Sequence, residues 1–310
     1  MAKIIGAGSL IVDITGYAAH LPVPGETSRG QRLVFGPGGK GSNQMTAASR
    51  AGAEAIIISR MGRDFLSSIL AAHYEREGMT TRYIRSCDTE TGSALIEVDT
   101  VTAQNRIIVV SGACECVTAQ DVLEAERDFA DADAVITQLE TSIESVRACK
   151  ELAQKYGKPF ILNPAPYREI PEDLLRGVDY LTPNETEAEY FSGIPVTDSA
   201  SAERAARILL DRGVRSVIIT LGKQGAFYCG EQGSMLLPAI SVDAVDTTGA
   251  GDAFNGGFAA AIAFGADVLT ALRFANCTGA LSVTRTGTAP AMPMRREIDA
   301  LMQQQYGCTL

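Results

Sequence analysis

The chain has 310 residues, 46% of them hydrophobic, enough for one large α/β core with an elaboration or for two smaller domains. Lys and Arg number 27 against 37 Asp and Glu, a formal net charge of −10, which argues against nucleic acid or an anionic membrane as the main partner. Seven cysteines without a C-x-x-C pair, and only His20 and His73 as histidines, argue against a disulfide framework, a zinc site or a histidine-based triad.

The opening MAKIIGAGSLIVD is interrupted too soon for a secretory signal, and no uncharged apolar run reaches the length of a membrane span. A soluble, cytoplasmic protein is expected. KIIGAG reads as the first strand. Residues 11–35 hold strand-like pieces and prolines but no convincing helix. SNQMTAASRAG then shows helical spacing, EAIIISR is a strand, and FLSSILAAHYEREG is a helix closed by glycine. Residues 91–111 read as a hairpin turning near Thr102–Asn105. Next come a helix over TAQDVLEAERDFA, the strand DAVITQLE and the helix SIESVRACKELAQKYG. The strands KPFILNPAP and VDYLTPNE, the helix SASAERAARILLDRG and the strand RSVIITLG complete the pattern.

Short Ile- and Val-rich runs alternating with helices predict a mostly parallel sheet with helices on both faces. The two β-rich stretches predict a small second sheet. The expected division is an α/β domain of residues 1–10, 36–90 and 112–310 with a β lid of residues 11–35 and 91–111. Ligands of such sheets bind outside the carboxyl ends of the strands. Polar residues recur there: Glu140 after VITQL, Asn163 after FIL, Asn184 and Glu187 after YLTP, Thr220 and Gly222 in VIITLG.

GPGGKGSNQ (Gly36–Gln44) is a glycine loop entering a helix. It is not a Walker A loop, because Gly41 follows Lys40 where Ser or Thr is required. GAGSLI lacks the third glycine of a dinucleotide fingerprint, with Ile11 in its place. Backbone donors at Gly39 and Gly41, the cation of Lys40 and the amide of Asn43 suit a polyhydroxylated ligand. A purely structural glycine turn is the bland alternative. VDTTGAGDAFNGG (Val245–Gly257) joins glycines to a helix start. Unpaired N–H groups and the helix dipole favour a phosphate there. Asp252 at the same place is suited to take a proton from a hydroxyl beside that phosphate. This is the geometry of phosphoryl transfer to an alcohol, where a weak base suffices if the transition state is loose. An N-capped helix is the alternative. Asn184 and Glu187 in NETE suit Mg²⁺ through waters, or equally a capped helix start.

Taken together, GSLIVD, GGKGSNQ, QLE, LNPAP, TPNETEAE, ITLGKQGA, VDTTGAGDAFNGG and VTRTGTAPAMP resemble the ribokinase-like (PfkB-type) carbohydrate kinases over nearly the whole chain. The resemblance implies a doubly wound α/β fold with a β lid that often also forms a homodimer contact. It implies ATP- and Mg²⁺-dependent phosphorylation of a sugar, at the primary 5-hydroxyl of a pentose. Asp252 is then the base, with Gly249, Ala250 and Gly251 as the anion hole. Asp13, Gly39, Lys40, Gly41, Asn43 and Glu140 hold the sugar. Asn184, Thr220, Gly222, Gly225, Gly251 and Asn276 line the nucleotide site, and Glu187 lies near magnesium. A monovalent cation, K⁺, is implied beside the hole at Asp246, Thr248, Ser282, Arg285 and Gly287. Ala291, also at a cation-site position, departs from the usual Ser and removes one oxygen.

Ile11 is a second departure. Ribokinases typically carry Asn at this position, and related deoxyribokinases an apolar residue. Ribose and 2-deoxyribose are therefore both candidate substrates, and leaving a hydroxyl unpaired against Ile11 costs roughly 1–3 kcal/mol. Cys114 replaces an Asn often found after Gly-Ala. A ketohexose or nucleoside kinase and a catalytically silent sugar- or nucleotide-binding protein are further readings. The 6% aromatic content disfavours a nucleoside pocket. The intact Lys40, Asp252 and glycines disfavour a silent protein.

Overall fold

A computed structural model describes residues 1–102 and 104–310. The chain opens with β1 (Lys3–Ala7), β2 (Ile11–Ala18), β3 (Gly30–Gly38), α1 (Lys40–Arg50), β4 (Glu54–Met61), α2 (Phe65–Glu77), β5 (Ile84–Ser86), β6 (Gly92–Asp99) and β7 (Asn105–Val110). It continues through α3 (Ala119–Leu123), α4 (Glu126–Asp131), β8 (Ala134–Thr137), α5 (Ile143–Lys155), β9 (Phe160–Leu162), β10 (Tyr180–Leu181), α6 (Glu185–Ser192), α7 (Ser199–Asp211) and β11 (Val217–Thr220). β12 (Ala226–Gly230), β13 (Gly233–Leu237), α8 (Ala250–Ala263), α9 (Val268–Ser282) and α10 (Arg295–Tyr306) follow.

The main sheet has the order β13-β12-β11-β10-β9-β8-β1-β4-β5. Its strands are parallel from β11 to β5. β12 and β13 complete it as an antiparallel hairpin at one edge, which the sequence reading does not identify. Each inner strand is apolar on both sides. Ile5, Val135, Phe160 and Ile219 enter one core with α5 and α7. Ile4, Ile136, Ile161 and Ile218 enter the other with α1, α8 and α9. That two-sided burial is why the strands read as continuous apolar runs, and each such side chain contributes about 1.5–3 kcal/mol.

Local signals set the helix ends. The Asp64 side chain accepts the Ser67 N–H at the start of α2, and Gly78 closes it in the left-handed region. Asp198 caps α7 in a capping box. The helix expected over residues 118–130 is instead two. The Ala125 N–H bonds to the Val122 carbonyl and the Asp128 N–H to that of Ala125. These tighter i→i−3 bonds break the helix between Leu123 and Glu126 while keeping Val122, Ala125 and Phe129 in the core.

The second sheet has the order β3-β2-β6-β7. β6 and β7 form the expected hairpin; Ala103, within its expected turn, lies outside the described residues. Pairing of Asp13 with Gly36 and Ala94, and of Ala94 with Val109, puts these residues on one face. Ile14, Phe35, Leu95 and Ile108 lie on the other.

Candidate active site

The main sheet changes direction between β1 and β8. β4 lies on one side of β1, whereas β8 to β11 run outward on the other. Crevices at such a switch point, beyond the carboxyl ends of the strands, are where α/β sheets bind ligands. Ser9 leaves β1 there, and Glu140 follows β8. The Ser9 hydroxyl donates to Glu140 Oε2 at 2.5 Å, and the Lys40 N–H donates to the same oxygen at 2.9 Å. Lys40 is the first residue of α1, directly after Gly39 at φ 88. Gly41 lies inside the helix, and its N–H donates to Ser9 Oγ at 3.2 Å. A Cβ there would strike the Gly8–Ser9 backbone. The expectation that Gly41 offers its N–H to a ligand is thus corrected: this glycine permits helix–loop contact. Burial opposes the charge of Lys40, but Asp252, Glu140 and Glu187 together hold its ammonium above the ordinary value. Burial pushes Glu140 up against the opposing pull of Lys40 and its two donors.

Asp252 stands in the first turn of α8 and is 7% exposed. Gly249 caps that helix at φ 78 with no side-chain partner. Among the described residues no backbone acceptor takes the N–H of Gly251 or of Asp252. A Cβ on Gly251 would meet nothing within 4 Å. This is an open concavity at a helix N-terminus, suited to an anion. The Ala250 N–H is directed to the Thr247 carbonyl at 3.2 Å. It is therefore not a free donor, because the tight turn at Gly249 folds it back. Asn43 Nδ2 donates to Asp252 Oδ2 at 2.9 Å, and Gln44 Nε2 to Oδ1 at 3.1 Å. Asn43 is 3% exposed, and its Oδ1 is buried without a partner. Such an orphaned acceptor fits a ligand hydroxyl.

Asp13 faces the same space from β2. Thr288 Oγ1 lies 3.0 Å from its Oδ2 and 3.1 Å from the Pro37 carbonyl. Gly38 leaves room for the carboxylate, which a Cβ would strike. Burial pushes Asp13 up to about 6; Thr288 opposes this, and Glu140 and Asp252 add to it. Ile11, 3% exposed, packs with Ala94 and Cys114, and the half-buried Ile96 joins them. Beside Asp13 the wall is therefore apolar. Cys114 Sγ accepts the Leu10 N–H and donates to the Leu10 carbonyl, both at 3.2 Å. One thiol satisfies both backbone groups, as a side-chain amide can, which accounts for the departure at this position.

On the other side, Asn184 and Glu187 form a capping box at the start of α6. Glu187 Oε2 accepts the Asn184 N–H at 2.9 Å. Burial raises Glu187, while Lys40 opposes and Asp252 adds to the shift, so it belongs to the same electrostatic cluster. Asn184 pairs with Thr220 as an isolated parallel bridge. Gly222 follows at φ 49. Gly225 is packed against the Leu237–Ala239 backbone, where a Cβ would collide. Its glycine identity therefore serves chain contact. Asn276 Nδ2 donates to the Pro238 carbonyl at 2.8 Å and to Tyr306 Oη at 3.0 Å, so its amino group is committed internally.

The expected cation positions are brought together beside Gly249. Asp246 Oδ1 accepts the Thr248 N–H at 2.9 Å, and Oδ2 accepts that of Gly287 at 3.0 Å. The Val245 and Asp246 N–H groups both bond to the Val283 carbonyl. The Ser282 hydroxyl donates to the Gly279 carbonyl at 2.8 Å. Arg285 turns its guanidinium to Glu297, leaving only its backbone to serve a cation. Ala291 is buried in a short turn at residues 289–291.

Ser9, Gln44, Asn255 and Thr288 escaped the sequence reading. Gln44 follows Asn43 directly, and Asn255 stands three residues after Asp252 on one helix face. That spacing is visible in sequence. Apart from the Gly251 carbonyl four residues before Asn255, the partners of all four lie far along the chain and are not.

A family model described as "pfkB family carbohydrate kinase" matches residues 1–295. The chain is similar to a ribokinase of Haemophilus influenzae, 38% identical over 291 residues covering 94% of this chain and 95% of the relative. It is also similar to a deoxyribokinase of Salmonella typhi, 34% identical over 288 residues covering 92% and 94% of the two chains. Among solved structures, Arabidopsis thaliana ribokinase complexed with ribose and ATP matches with a TM-score of 0.89 at 29% identity, covering 98% of this chain and 99% of that one.

Proposed function

The chain belongs to the pfkB carbohydrate kinase family and is a sugar kinase, and from that premise we propose that it transfers the γ-phosphoryl group of ATP to the primary 5-hydroxyl of ribose. The observation that carries this reading is Asp252, held at both carboxylate oxygens beside an open helix N-terminus. The 5-hydroxyl oxygen attacks the γ-phosphorus, the bond from that phosphorus to the ADP oxygen breaks, and the hydroxyl proton passes to Asp252. A loose transition state keeps that proton on oxygen until late, so an ordinary carboxylate suffices. The N–H groups of Gly251 and Asp252, with Lys40, offset the charge on the transferring oxygens. Asp13, Asn43 and Glu140 orient the sugar, with Gly39 at the helix entry. Asn184, Thr220 and Gly222 border the nucleotide.

Magnesium, when bound, supplies charge neutralisation at the phosphates. Glu187 suits it through waters, since one carboxylate oxygen takes no protein donor among the described residues. The loops of Asp246 and Gly287 suit a monovalent cation held mainly by backbone carbonyls. The second sheet acts as a lid over the sugar; its first segment runs to Gly38, three residues past the expected boundary at 35, and its second spans Gly92 to Val110. Its outward apolar face supports a homodimer. Seven free thiols support a reducing, cytoplasmic setting.

A specific observation favours a second reading, 2-deoxyribose. The Ile11, Ala94 and Cys114 wall offers no side-chain hydrogen bond to a sugar hydroxyl. An ADP-release assay with ribose, 2-deoxyribose, a ketohexose and a nucleoside separates these readings. Ribose turnover with the highest kcat/KM supports the first. A higher value for 2-deoxyribose selects the second, and no turnover of any pentose at millimolar concentration overturns both.

A further inference from the structure

We propose that Gln44 is the positioning residue for Asp252, and that a directional chain of buried side chains ties the base to the peptide of the anion site. The proposal rests on the reading of Asp252 as the base. Gln44 is fully buried, and every polar group of its amide is used. Its Nε2 donates to Asp252 Oδ1 at 3.1 Å and to Asn163 Oδ1 at 3.0 Å. Its Oε1 accepts from Gln138 Nε2 at 2.6 Å.

The direction of these bonds follows from their ends. Asn163 Nδ2 donates to the Thr182 carbonyl at 2.8 Å, a group that only accepts. Asn163 must therefore present its oxygen to Gln44, and Gln44 must present its amino group. With Asn43 donating to Oδ2, both oxygens of Asp252 are acceptors. The carboxylate plane is thus fixed by two amides on adjacent residues of α1. From Thr182 the chain continues: its hydroxyl donates to Asn255 Oδ1 at 2.5 Å, and Asn255 Nδ2 donates to the Gly251 carbonyl at 2.9 Å. That carbonyl also only accepts, so Asn255 has one orientation. The result is a closed ring through α1, the ends of β9 and β10, and the first turn of α8. At its far end, Gln138 Oε1 is buried with no partner. An orphaned buried acceptor is unfavourable, and the bond from Gln138 to Gln44 is what its amide supplies in return.

A ring built of rigid, dry hydrogen bonds acts on orientation more than on affinity. The test uses the full chain with MgATP and the sugar it turns over best. Gln44→Leu should lower kcat at least ~10-fold while both KM values stay within ~3-fold, the pattern of an interaction that matters in the transition state. In an Asp252→Asn background, Gln44→Leu should change the residual rate less than ~2-fold, because its route to the chemistry is already gone. A kcat within ~2-fold of the parent, or the same fold-loss in both backgrounds, overturns the proposal. Full activity of Asp252→Asn instead overturns the reading of the base itself. Should Gln44→Leu fail to fold, Gln44→Met keeps the length and nearly the volume of the side chain without adding a charge, and removes the donor to Asp252. Folded Gln44→Met, checked by its circular-dichroism spectrum, should show the same loss of kcat, and a parental kcat overturns the proposal.

Discussion

Asp13 is held as a carboxylate in a place that disfavours charge. Burial raises it to about 6 from the ordinary aspartate value of 3.8, with Glu140 and Asp252 adding to the shift. Between those values the folded protein binds more protons than the unfolded chain, so stability falls as pH rises through this window. The effect is at most about 3 kcal/mol, and less with partial exposure. Asp13→Asn should therefore melt higher than the parent at pH 8 without sugar, and the difference should shrink as pH falls from about 6 to about 4. A difference that does not change with pH, read by calorimetry, contradicts this. The same variant should raise the KM for sugar, a trade of recognition against stability. At Ile11 the question is specificity. Ile11→Asn should raise the ratio of kcat/KM for ribose over 2-deoxyribose, by about 10-fold if one buried hydroxyl gains a partner. An unchanged ratio would show that Ile11 does not face the sugar.

Helices α1 and α8 carry the Asn43 and Gln44 amides and Asp252, and their approach sets the spacing between them. Gly256 is where they touch: a Cβ there would strike the Gln44 carbonyl and Ala47 Cβ. Ala47, Ala253 and Met292 form a small dry cluster at this crossing. Gly256→Ala should cost about 1–3 kcal/mol by overpacking and, by shifting Gln44, should lower kcat. A chemical-denaturation midpoint and kcat both equal to the parent's would refute this account. The glycine motif and its helix were legible in sequence, because glycine and spacing are local properties. The crossing was not, since nothing in FNGG says which helix comes within a methyl group of it. The break between α3 and α4 was equally hidden. Each half has helical spacing, and the i→i−3 tightening that separates them reflects how Val122, Ala125 and Phe129 reach the core together.

Across the whole molecule, the second sheet presents apolar residues on both faces. On the face away from Asp13, Leu33 is 60% exposed, and Phe35, Leu95 and Ile108 are also exposed. Contiguous apolar surface of this kind marks an interaction site. Ile108→Asp should halve the mass seen by analytical ultracentrifugation at micromolar concentration if two lids pack through this face; a parent that sediments as a monomer would refute the dimer. The alternation of strands and helices, the two β-rich segments, the glycine-flanked helix starts and the candidacy of Lys40, Asn43 and Asp252 are legible in the chain alone. These follow from periodicity, backbone freedom and residue chemistry, which act over a few neighbours. Packing of the folded chain is what sets Gln44 and Asn43 on opposite oxygens of Asp252, Cys114 on both backbone groups of Leu10, and Gly41 and Gly225 at close chain contacts. These are pairings across tens to hundreds of residues, set by how the elements pack. Hydrogen-bond partners at such separation are chosen by the fold and leave no period in the chain.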